Sequence, residues 1–320
     1  FDGRKPEKTL FFGPSYGYRI PKTEIKSEFI AKKRMERNEA ECYPIQMDYL
    51  PDIFHQKAVR ELNETPERWR VEVKKLKELL SDNKITTAIV FEEDFLRLFL
   101  RHTKYNSSKA FHYLLNFISF RRNYGSLFAS IPDENFATNP STKMFSILPY
   151  RSPDGCAIIL SEIGKWDPEE LSLEDFKKMA IFLFLQPLRC PMTQITGFKI
   201  IHDFKDTSVK YLRYCTPQNL SLFYNVAMNF VPGRYKEIHC INESVLLKSA
   251  WFIVKQFLST KIRKRVFFHS KPEDLLNHFP TFTLPAKYGG TLTDYHDKDL
   301  MRKLNKEHGN YPLGGLPNYF

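Results

Sequence analysis

The stretch from Ser244 to Leu258 constrains this chain more than any other. On a wheel of about 100° per residue, Leu246, Leu247, Ala250, Trp251, Ile253, Val254, Phe257 and Leu258 cover roughly half the circumference. A surface helix packed on a single core needs a narrower apolar stripe than that. Such a helix is either buried on nearly all sides or has two apolar clients, the protein interior and a second apolar phase. An expected strand, Tyr235–Ile241, precedes it. A basic run of Lys261, Arg263, Lys264 and Arg265 follows and leads into a second expected strand, Arg265–His269. Cations just beyond an apolar helix suit an anionic lipid surface.

The remaining chain supplies the frame for this helix. Residues 1–50 mix Pro, Gly and aromatics and read as a partly disordered extension, with at most one polar helix from about Lys22 to Asn38. Within it, Gly13–Gly17 matches G-x-S-x-G, but a nucleophile elbow needs a core strand before it and a helix after it. Pro21 interrupts any such helix, so the motif reads as a turn. Residues 51–131 show helical periodicity. Thr65 is placed to cap a helix with Pro66 at its first position, and Trp69, Val73, Leu76 and Leu80 fall on one face of it. Phe95, Leu98 and Phe99, then Phe111, Leu114, Leu115 and Ile118, repeat the pattern.

After Pro132 helices alternate with short strands. The expected order is strand Cys156–Ile163, helix Leu173–Leu185, strand Gly197–Asp203, helix Pro217–Phe230, then the strand–helix–strand unit described above. Helices separating strands imply a largely parallel sheet. The predicted class is α/β: an N-terminal helical bundle over 51–131, a mostly parallel sheet flanked by helices over 132–292, and a C-terminal tail over 293–320.

Composition narrows the function. A net charge of +11 suggests an anionic partner. Nucleic acid is not expected, because no binding motif is present and the cations accompany apolar helices rather than stacking aromatics. Cys42, Cys156, Cys190, Cys215 and Cys240 are scattered, which suits reduced thiols. With no C-x-x-C pair and no Cys/His cluster along the sequence, no metal is expected. No Walker or H-E-x-x-H motif occurs, so no catalytic residue is assigned and an enzyme is not expected. No apolar run approaches the ~20 residues that span a bilayer. The expectation is a soluble, cytoplasmic monomer that touches membranes transiently.

Several motifs in fixed order carry a resemblance. Ile238–Glu243 reads I-x-x-I-N-E. Phe257–Leu258, Lys261, His269 and the L-P-x-x-Y-G-G of Leu284–Gly290 follow. Upstream stand Trp166–Pro168 (WDP), Thr193–Gly197 (TQ-x-x-G), Asp203 and the segment Asp94–Arg122. Over roughly Leu50 to Leu292 the chain resembles the CRAL-TRIO lipid-transfer family, in particular its tocopherol- and retinaldehyde-carrying branch. The resemblance implies a lipid pocket covered by a lid helix, with no cofactor beyond the bound hydrophobic ligand. It implies wall residues Ala180, Phe184, Phe198, Ile200, His202, Phe223, Val226 and Ile238. In the lid, Leu247, Trp251 and Val254 would face the ligand, and Leu246, Ala250 and Ile253 the membrane.

Four cations, Arg234, Lys236, Lys261 and Arg265, match the family's phosphoinositide contacts. A further family arginine is Thr103 here, with Lys104 beside it. His202 stands where tocopherol carriers have an aromatic hydrocarbon. Ser244 and Gln256 stand where the family's lid has prolines. The function so implied is a carrier that exchanges one hydrophobic molecule at phosphoinositide-containing membranes. The other reading is a phospholipid-sensing regulator that acts through a protein partner.

Overall fold

Turn and cap residues set the helical first part of the computed structural model, which describes residues 43–309. Helix α1 (Asp52–Leu62) stops at Asn63, whose left-handed backbone (φ 61°) returns its N–H to the helix. In α2 (Pro66–Ser81) the Thr65 hydroxyl accepts from Arg68 N at 3.1 Å, with Pro66 at the first position. This is the cap that the sequence predicts. Helices α3 (Glu93–His102) and α4 (Ser107–Asn123) follow, and a short α5 (Asp133–Thr138) leads toward the sheet. Phe95, Leu98, Phe99, Leu114 and Ile118 are buried as their periodicity requires; Phe111 is packed against that core.

Five strands form one sheet in sequence order: β1 (Phe145–Ile147), β2 (Ala157–Glu162), β3 (Phe198–Asp203), β4 (Tyr235–Ile241) and β5 (Val266–Phe268). Strand β1 pairs antiparallel with β2, and every other pairing is parallel. Parallel neighbours need long crossovers. These contain α6 (Leu173–Leu185) and α7 (Pro191–Thr196), then α8 (Pro217–Asn225) with a π-helical turn (Val226–Phe230), then α9 (Val245–Val254) and α10 (Thr260–Arg263). The α/β class with a mostly parallel sheet is as expected, and β1 is an additional edge strand. A last helix, α11 (Lys298–Gly309), packs on α5 and α6. In it the Asn305 side chain pairs with both backbone groups of Ile131, each at 2.9 Å.

Strand alternation gives the sheet two different faces. Ala157, Ile159, Phe198, Ile200 and Tyr235 join the large core built with α3, α4 and α6. Ile158, Leu160, Ile201 and Ile241 join a smaller cluster with Leu275, Phe279, Leu284 and Tyr288. The first is called the front and the second the back. Between them, Gly197 (φ 91°) lets β3 start hard against β4, because a Cβ there would lie 2.0 Å from the Arg234 carbonyl oxygen. The preceding Thr193 and Gln194 tie the helices to this point. Thr193 accepts from Arg151 at 3.0 Å, and Gln194 accepts from the buried Arg101 at 2.5 Å.

Candidate functional site

On the front face, Phe198, Ile200 and His202 alternate along β3. Phe198, Ile200 and Val226 are buried together, with Ala180, Phe184 and Ile238 only partly covered around them. The Phe184 ring meets Phe198 edge-on at 5.4 Å and Tyr235 at 5.6 Å. Phe223, on α8, meets Phe176 edge-on at 5.8 Å, and Phe176 packs against the same core. His202 is deep enough that burial pushes its imidazole down to about 4, yet its side chain is not fully covered. Its ring lies 6.3 Å from Phe204. A polar ring in apolar surroundings is costly unless something satisfies it.

Two clefts of about 390 and 400 Å³ lie elsewhere. Arg97, Arg101, Arg151 and Arg189 line the first, and Glu162, Asp203, Lys205 and Lys287 the second. Both are too charged for an apolar ligand, and none of the expected wall residues lines either.

Helix α9 falls within the stretch Ser244–Leu258 expected to be helical. Ser244, which replaces the family proline, caps it by accepting from Leu247 N at 3.2 Å. The helix is shorter than expected, ending at Val254 rather than Leu258. It packs on α8 and on the 3-10 turn Val209–Tyr214. Leu247 is buried and Trp251 and Val254 are partly covered, but Leu246, expected to face outward, is also buried at 6% exposure. Ala250 and Ile253 are partly covered. The outward apolar surface is carried instead by Val245 (57% exposed) and Phe252 (62%), two turns apart, and by Phe257 beyond the helix. A helix apolar all round leaves its inward face open on a wheel, and packing against neighbours decides it. Trp251 meets Phe268 of β5 edge-on at 5.1 Å.

The expected cations gather at one rim. The Lys261 ammonium is lowered first by Arg265, then by burial, then by Lys104, Arg234 and Lys236. Lys261 therefore feels four other positive groups, Lys104 among them, beside Thr103. One acid opposes them, and the sequence reading missed it. Glu61 of α1 sits 3.3 Å from both Arg234 and Lys236 and 2.9 Å from Lys57. Burial alone would raise its carboxyl, but Lys57 and Lys236 hold it at about 2. Arg265 also donates to the Tyr235 carbonyl.

The back face is polar where the front is not. Asp203 accepts from Tyr288 Oη at 2.5 Å, from Asn242 at 2.7 Å and from Lys205 N at 2.8 Å. Glu162 holds Lys165, Lys287 and Tyr295. Asp203, Asn242 and Tyr288, all within the motifs, thus join β3, the end of β4 and the L-P-x-x-Y-G-G turn. Beside them His239, His269 and His278 converge. Thirty and nine residues separate them, so sequence spacing gives no metal signature.

Residues 141–290 match the family model of the CRAL/TRIO domain. Over those residues the chain is similar to the CRAL/TRIO domain. It is 29% identical over 238 residues to human alpha-tocopherol transfer protein-like, covering 73% of this chain and 69% of that one. It is 28% identical over 270 residues to rat clavesin-1, covering 81% and 74%. The crystal structure of Sfh5 covers 86% of this chain and 100% of its own at 13% identity, with a TM-score of 0.44. Among the described residues no helix is long and apolar enough to cross a membrane.

Proposed function

We propose that the protein binds one hydrophobic small molecule, of tocopherol, retinoid or similar isoprenoid type, between α9 and the front of the sheet, and exchanges it at phosphoinositide-containing membranes. The observation that carries this reading is the exposure of Val245, Phe252 and Phe257 on and beyond α9, in a chain whose Lys261, shortly after that helix, feels Arg265, Lys104, Arg234 and Lys236. Burying each exposed apolar side chain in lipid contributes roughly 1.5–3 kcal/mol, and each cation about 1 kcal/mol at an anionic surface. Together these recruit a carrier without anchoring it. Inside, the partly open Ala180, Phe184 and Ile238 supply the apolar wall. His202 and the buried Tyr235 hydroxyl are polar groups on that face able to select a hydroxyl or carbonyl.

The test is mass spectrometry of the organic extract of the purified protein, followed by transfer of the recovered lipid between vesicles. One lipid per chain, moved faster to acceptors containing phosphoinositide and with no second protein present, is the expected result. A folded protein that takes up no isoprenoid, sterol or phospholipid overturns the carrier reading. Uptake without transfer favours a lipid-sensing regulator.

A further inference from the structure

We propose that the back of the sheet holds a binding site for one divalent transition-metal ion of the zinc type, built from His239, His269 and His278 with Glu237 as the group that orients it. The three imidazoles each place one nitrogen so that all lie within 4.8 Å of one another. They come from three different supports. His239 is on β4, His269 follows β5 with its N–H bonded to the Cys240 carbonyl at 3.0 Å, and His278 closes the 3-10 turn Pro272–Asn277. No single loop brings them together, so the sheet and the turn position the cluster.

The hydrogen bonding inside the cluster is what a metal site requires. Zinc–nitrogen bonds of about 2.0–2.1 Å in a tetrahedron put neighbouring nitrogens about 3.3 Å apart. His239 Nδ1 and His269 Nε2 are 2.9 Å apart, so small side-chain shifts suffice. On the other side of the ring, His239 Nε2 is 3.1 Å from a Glu237 carboxylate oxygen. A carboxylate there accepts the Nε2 proton and leaves the Nδ1 lone pair facing the other two rings. This is the carboxylate–histidine–metal arrangement, which fixes the tautomer and raises ligand basicity.

Lys199, 3.1 Å from Glu237 and 3.7 Å from Asp154, keeps the carboxylate from carrying an uncompensated charge. The His239 ring is held edge-on to Phe279 at 4.9 Å and stacked on Phe267 at 5.1 Å. His239 is fully buried, whereas His269 and His278 are partly exposed, so the ion has a path from solvent. Three imidazoles and an open fourth position suit zinc, and cobalt, nickel or copper will compete for the same nitrogens. The front face takes no part, so the site stands or falls independently of the lipid reading.

The test uses the full chain stripped with a chelator and titrated with zinc against a chromophoric competitor, and separately with cobalt. One equivalent bound in the micromolar range or tighter, with the visible absorption of tetrahedral cobalt, is expected. His269→Ala combined with His278→Ala should weaken zinc by about 100-fold or more and abolish the cobalt spectrum. Glu237→Gln should weaken it by about 10-fold. Lipid uptake should be the same in all three proteins. If the double variant does not fold, His278→Gln alone, at a partly exposed position, must still lose the cobalt spectrum. A parent protein that takes up no zinc at tens of micromolar overturns the proposal. So does a folded variant that keeps full affinity, since the ion then sits elsewhere.

Discussion

From β3, Phe198, Ile200 and His202 point to the front while Lys199, Ile201 and Asp203 point to the back. The front meets partly covered hydrophobic side chains, with the His202 imidazole among them. The back meets Tyr288, Asn242 and Lys205 around Asp203, and Glu237 among three histidines. One face carries the large apolar core with partly covered residues packed against it, and the other adds a set of directional polar contacts to a smaller apolar cluster. The difference shows how one sheet serves two kinds of packing: directional hydrogen bonds fix the groups around Asp203 and Glu237 on the back, while dispersion contacts hold the front.

The largest effect is expected at the back. Asp203→Ala strands Tyr288 Oη, Asn242 and the Lys205 N–H, and should cost about 3 kcal/mol, read as a lower urea midpoint. Lipid affinity of the folded fraction should hold. If stability stays within 0.5 kcal/mol, taken as roughly the scatter of neutral surface changes, the back is not the scaffold.

Next comes the outer surface of the lid. Val245→Asp with Phe252→Asp places charge on exposed positions, so the melting temperature should change little while vesicle transfer slows by more than tenfold. Joint loss of stability and transfer would instead mark α9 as a core helix. Leu246→Asp, at the buried position, should destabilise the fold and serves as the contrast.

The third experiment concerns His202. Its folded pKa of about 4 lies below the unfolded value near 6.5, so the unfolded chain binds more protons between those limits. Stability present above pH 6.5 is therefore lost as pH falls toward 4. His102 and His308, each lowered by burial to about 4, act in the same window. His202→Phe should remove its part of the loss, about 1 kcal/mol at pH 5.5 after allowing for partial exposure. Parallel pH profiles for the two proteins would place His202 in contact with water or a polar partner.

The smallest effect sharpens the rim. Glu61→Gln releases Arg234 and Lys236 from their shared carboxylate and should strengthen binding to phosphoinositide vesicles a few-fold at low salt. Weaker binding would mean that Glu61 positions those cations for the headgroup.

The sequence was most legible where periodicity and punctuation agree. Thr65-Pro66 gave the start of α2, Leu173–Leu185 is α6 to the residue, and β4 spans Tyr235–Ile241 as expected. Strand β1 escaped because three residues are too few to show alternation. Helix α11 escaped although Leu300, Met301, Leu304 and His308 have helical spacing, because residues 293–320 were read as a C-terminal tail. The front wall residues were named through a family pattern rather than from periodicity. The inward side of α9, the Glu61 counter-charge and the histidine cluster depend on contacts between distant segments. No local pattern encodes them.

Helix α11 has one more consequence. Asn305 grips the backbone of Ile131 and His308 lies 2.8 Å from the Leu127 carbonyl oxygen, 174 and 181 residues away along the chain. During synthesis the helices before the sheet can form from local contacts, but those groups wait for partners made roughly ten to a few tens of seconds later, at roughly 5–20 residues per second. Translation therefore leaves the rear of the helical layer unfinished for on the order of ten seconds or more. In that interval Leu127, Phe128 and Ile131, buried in the finished fold, are open to a chaperone or to a neighbouring nascent chain.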